Sequence, residues 1–175
     1  MNVTNFKAMK AHPLRLLIQF TMVAALLCVS VASASAKPKR LLVVTVTIGF
    51  PHSSVTTAER ILTQLGEKSG DWTVDIVNSG PRPKDKGEDY AWEDRVKKAL
   101  AEKMSAEALK QYDGVIFANT TGDLPMPNPQ DLIDYVKSGK AFVATHSGSD
   151  TFPGFAPYSE MLGGEFLAHG AQATV

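Results

Sequence analysis

Cysteine is almost missing from this chain: Cys28 is the only one in 175 residues, and it lies in a segment expected to be removed. A disulfide framework, a thiolate nucleophile and a thiolate metal ligand are thereby excluded from the mature protein. Excess basic charge is missing as well. Eighteen Lys+Arg balance 18 Asp+Glu, and without residues 1–36, which hold Lys7, Lys10 and Arg15 and no acid, 15 face 18, a net charge of −3. Nucleic acid is therefore not an expected partner. No Gly-rich phosphate loop follows the first strand-like run, where Thr47-Ile48-Gly49-Phe50-Pro51 stands instead. No nucleotide cofactor is expected. No H-E-x-x-H spacing, internal repeat or low-complexity tract occurs.

A long apolar run is also wanting. Leu16 to Val31 is mostly apolar but short for a membrane span, and Gln19 and Thr21 interrupt it. The basic start before it and Ala32-Ser33-Ala34-Ser35-Ala36 after it make a signal peptide over residues 1–36. The protein is expected to be exported, periplasmic or extracellular, with no membrane attachment after cleavage. Residues 37–175 then form one α/β domain. Ala171 to Val175 reads like the beginning of a strand, so the domain is expected to be incomplete at its C-terminus.

What is present is an alternation of strands and helices. Arg40 to Thr47 is a β-branched run suited to a strand covered on both faces. A helix capped by Ser53 or Ser54 follows, with Ala58, Ile61, Leu62 and Leu65 on its inner face and Gly66 and Gly70 at its end. Trp72 to Val77 is a second strand, and Asn78 to Gly87 a loop with Pro81 and Pro83. Glu88 to Leu109 is helical with a break near Met104-Ser105, and Asp113 to Ala118 is a third strand. A helix from Gln130 to Lys137 stops at Ser138-Gly139, Ala141 to Thr145 is the fourth strand, and Tyr158 to Leu162 is a short helix ended by Gly163-Gly164. This order implies right-handed βαβ units on a parallel sheet, doubly wound in three layers.

Polar loops leave three of the strands: Phe50-Pro51-His52-Ser53-Ser54, Asn119-Thr120-Thr121-Gly122-Asp123 and His146-Ser147-Gly148-Ser149-Asp150. Ligands in open α/β sheets bind beyond the carboxyl ends of the strands, so the three loops are expected to form one site. His146 sits at the apex of Ala144-Thr145-His146-Ser147-Gly148, a strand-to-helix elbow with histidine in the nucleophile's place. His146, His52 and Asp123 are the candidate catalytic groups. Ser53, Asn119, Thr120, Thr121, Ser147, Asp150, Tyr158 and His169 are candidate ligand contacts, a mix of donors and acceptors suited to a polyhydroxylated ligand such as a small carbohydrate. The same groups also suit hydrogen-bonded turns. Glu165 could line a pocket wall; Phe152 and Phe155 suit the core. His52, His146 and His169 allow a divalent metal site, with no compact spacing to fix the metal.

These pieces resemble the ThuA-like (trehalose-utilisation) family. The matching segments are Leu42 to Ser54, Tyr112 to Asp123, Tyr135 to His146 and Gly163 to His169, in order across most of the mature chain. The resemblance implies a flavodoxin-like fold similar to class I glutamine amidotransferases, with His146 where those enzymes carry cysteine. Glutaminase activity is not expected, and sugar utilisation is. Pro51 stands where the family usually has a basic residue, glycine follows His169 where proline is more typical, and family members continue past this point. Three readings result: a sugar-processing enzyme, a non-catalytic carbohydrate-binding or accessory domain, and a metal-dependent sugar hydrolase or lyase. No pattern bears on oligomeric state.

Overall fold

The computed structural model describes residues 37–83 and 86–171. The expected leader lies outside the described residues, as do Thr174, Val175 and their two predecessors in the expected C-terminal strand. The compact unit begins at Lys37. Among the described residues no helix is long and apolar enough to cross a membrane.

Four strands form one parallel sheet: β1 Lys39–Val44, β2 Trp72–Val77, β3 Gly114–Phe117 and β4 Ala141–Ala144, in the order β2-β1-β3-β4. The register places Val44 beside both Val77 and Phe117, and Phe117 beside Ala144, so the four strands end at one level. The helices are α1 Val55–Ser69, α2 Lys86–Met104, α3 Ala106–Leu109, α4 Gln130–Lys137 and α5 Ala156–Leu162. One face of β1 and β3, with Leu42, Val44, Val115 and Phe117, packs on Trp92, Leu100 and Met104 of α2, Leu132 of α4 and Tyr158 of α5. Val43 faces the other way, toward α1, and is fully buried. Helices on both faces make three layers, a doubly wound α/β fold of the flavodoxin-like kind.

Local chemistry explains the breaks. Ser105 ends the run of α2 because its hydroxyl accepts from the Ala108 backbone N–H and caps α3. Gln130 and Lys137 bound α4 as expected, with Ser138 closing the last turn.

Helix α1 departs from expectation in its inner face. Ile61 and Leu65 are 41% and 48% exposed. Gly66 is buried instead and does not end the helix, which continues to Ser69 and a left-handed Gly70. The contact that decides this is with Trp72, whose Nε1 donates to the Leu62 carbonyl. A β-carbon on Gly66 would lie 2.7 Å from the Trp72 ring, so only glycine lets helix and strand approach this closely. Ser54 occupies the N-cap position, yet its hydroxyl makes no cap hydrogen bond.

Candidate functional site

The segment after β3 holds the other two loops in place. Asn119 adopts a left-handed backbone (φ 61°), which asparagine tolerates better than most residues. In that conformation its N–H donates to the His146 carbonyl (2.9 Å) and its Nδ2 to Ser54 Oγ (2.9 Å). Thr121 carries the first loop: its carbonyl accepts from Ile48 and Gly49, and its hydroxyl donates to the Phe50 carbonyl. Thr120 Oγ1 pairs with Thr151 Oγ1 at 2.7 Å. Gly122 donates to Asp150 O, and its φ of 77° brings it so near Gly49 that a β-carbon would stand 2.6 Å from that residue's nitrogen. Every one of these bonds joins one loop to another.

The result is the convergence expected of the three loops, with His52 meeting His146. Their ring centroids are 4.5 Å apart and the planes cross at 71°. Phe50 packs edge-on against His52 from the outer side, at 5.2 Å. Burial lowers the His52 pKa below its ordinary value, the neighbouring His146 lowers it further, and Asp150 opposes both. Neutral His52 is thus the favoured form near neutral pH.

Both histidines line a cavity of about 1160 Å³, with Ser147, Asp150, Glu165 and His169 among its walls. Glu165 is anchored there, accepting from the Gly154 N–H (3.0 Å) and from Ser159 Oγ (3.1 Å). Phe166, whose N–H donates to the Ser149 carbonyl, ties the segment after α5 to the loop after β4.

The other expected site residues lie elsewhere. Asp123 is exposed and outside the cavity. Its place as the carboxylate beside the histidines is taken by Asp150. Ser53 is exposed and also outside it. Asn119, Thr120 and Thr121 are buried, and their side chains bond to neighbouring loops instead of facing the cavity. Tyr158 stands behind the wall: its buried hydroxyl donates to the Gly148 carbonyl (2.9 Å), and burial pushes its pKa far up. Phe152 is buried beside Phe117, Phe155 and Tyr158, as expected of a core residue.

Two chemical expectations change in form. The elbow at His146 feeds a 3-10 turn, Gly148–Asp150, and not an α-helix. Ser147 Oγ donates to the Thr120 carbonyl at 3.2 Å, a bond that occupies its hydroxyl proton. The three histidines share a cavity but do not form a metal-ligating set. Among the described residues no three His, Cys, Asp or Glu side chains gather closely enough to hold an ion.

A second cleft, of about 500 Å³, opens on the β1–β2 side of His52 and contains Glu59 and Asn78. Neither stood out in the sequence as a site residue. The available signal was the position of Glu59, just over one turn into the helix that follows the first polar loop.

No curated protein and no solved structure matches this chain. The family model described as ThuA, trehalose utilisation, matches residues 40–175, so the chain belongs to the ThuA family and carries a role related to trehalose utilisation.

Proposed function

We propose that this is an exported carbohydrate-processing domain whose site is the cavity at the carboxyl edge of the sheet, with His52 as general base and His146 as its partner. The observation that carries this is the edge-to-face contact of the two imidazoles, centroids 4.5 Å apart, in a cavity with two carboxylates on its walls. A base must be unprotonated at working pH and within reach of a substrate proton. His52 meets the first condition through burial and the charge of its neighbour. Asp150 and Glu165 add acceptors for sugar hydroxyls, and His169 adds a ring at the rim. Export rests on the leader-like residues 1–36.

Incubating the purified protein with trehalose and with D-glucose tests the reading, with binding followed by calorimetry and turnover by product analysis. Product formed from trehalose by wild type, with binding that His52→Ala and His146→Ala each abolish or weaken at least tenfold, supports it. Sugar binding indifferent to both substitutions overturns it.

One observation favours a second reading, a domain that binds sugar without turnover. The hydroxyl of Ser147, the residue that follows His146, spends its proton on the Thr120 carbonyl. Binding that needs both histidines, with no product from trehalose, would decide for that reading.

A further inference from the structure

His52 lines two cavities, not one. The second is the 500 Å³ cleft, bounded by the end of β1, the start of α1 and the loop after β2, with His52 in the lining of both. That volume falls in the ordinary range of small-molecule sites. Its floor is polar and ordered. Glu59 Oε1 accepts from Thr45 Oγ1 at 2.5 Å and from Asn78 Nδ2 at 3.2 Å, which fixes the carboxylate from two sides. Thr47 and Thr56 bring hydroxyls to the same cleft, while Val55 and Pro81 give it apolar wall. Arg82 closes one end, donating to the Ile48 carbonyl and stacked over Trp92.

We propose that this cleft is a second sugar-ring subsite, so that the full ligand is at least a disaccharide spanning His52. The inference rests on the carbohydrate reading above. A pyranose ring offers hydroxyls in several directions and an apolar C–H face. A fixed carboxylate accepts from hydroxyls, threonine hydroxyls donate or accept, and valine and proline meet the C–H face. A ring in each cavity places the bond between them at His52, the group already favoured as neutral base.

Thr56 is exposed at the mouth of the cleft and spends no side-chain bond on the fold, so Thr56→Trp fills the cleft without unmaking the Glu59 network. Calorimetric titration of the full protein with trehalose and with D-glucose is the test. Wild type is expected to bind trehalose about tenfold or more tightly than glucose, and T56W to bring the ratio to about one while glucose affinity holds. Ser79→Trp, from the opposite wall, serves the same end if T56W does not fold. Equal affinity for the two sugars in wild type, or a trehalose preference that survives the substitution, overturns the second subsite and leaves the first reading standing. Failure of both sugars to bind overturns the two together.

Discussion

The imidazole of His52 meets that of His146 edge to face, 4.5 Å between centroids, although 93 positions separate them in the chain. The contact exists because Asn119 bonds to both loops at once, to His146 through its backbone and to Ser54 through its side chain.

His52 should report on this pair directly. Its pKa is lowered by burial and then by the charge of His146, and raised by Asp150. Replacing His146 with Gln removes a like charge, so the His52 pKa is expected to rise; Asp150→Asn removes an opposing charge, so it is expected to fall. An NMR titration of the His52 ring protons reads both. Opposite shifts in the two variants are required, and shifts of the same sign would contradict the arrangement. The linkage has a definite sign as well. A histidine whose folded pKa is depressed binds its proton more weakly than the unfolded chain does, so His52 costs stability as pH falls below its ordinary value of 6.5.

Asn119 joins a left-handed backbone to an interloop bond, and two substitutions separate these roles. Asn119→Ala meets both the conformational penalty and the lost bond to Ser54, and is expected to cost about 2–3 kcal/mol. Asn119→Gly keeps the backbone at ease and loses mainly the bond, for about 1 kcal/mol. Urea unfolding measures each. Equal losses in the two variants would mean that φ of 61° imposes no cost at this site.

Much of this architecture is legible in the residues, and the exceptions have physical causes. The strands were readable because β-branched runs end in glycine, asparagine or histidine, and α4 because its apolar spacing is uninterrupted. The inner face of α1 was not, since periodicity favours Ile61 and Leu65, whereas the closest approach to the sheet is made by a residue without a side chain. In the site, the histidine pair could be placed from topology alone. The roles of Asn119, Thr120 and Thr121 could not: a hydroxyl that bonds a neighbouring loop and one that bonds a ligand look the same in sequence. Asp123 and Asp150 pose the same difficulty, both acidic and both just beyond a strand, and only the turn that follows decides which faces the cavity.

Gly66 gives a steric test of the α1 packing. Gly66→Ala improves helix propensity by about 1 kcal/mol yet drives a methyl group into the Trp72 ring and its carbonyl, 2.7 Å away. Overpacking against a ring and a backbone atom typically costs more than propensity returns, and a net loss of about 1–2 kcal/mol is expected. Gly164→Ala is the control: no atom stands within 4 Å of its β-carbon, and its unfolding midpoint should match wild type. A stabilised G66A would contradict the close packing of α1 on β2.

Within the edge strand β2, Asp75 gathers three donors on one oxygen. Arg40 Nη2 (2.6 Å), Tyr112 Oη (2.8 Å) and Lys103 Nζ (3.4 Å) all bond Oδ2. Burial pushes the Asp75 carboxyl up, but the bonds from Tyr112, Arg40 and Lys103 and the charge of Arg40 outweigh it and hold the pKa below 3.8. The folded state therefore favours the ionised form, and the stability this brings is fully present above 3.8 and lost as pH falls through the depressed folded value. Asp75→Asn keeps the shape and removes the charge, at an expected cost of about 1–3 kcal/mol near neutral pH, moderated by the partial exposure of the cluster. Denaturant midpoints of wild type and D75N measured from pH 7 downward should differ by a constant amount until the acid range and then converge. A gap that persists below the folded pKa would assign the stabilisation to packing of Tyr112 and not to the carboxylate.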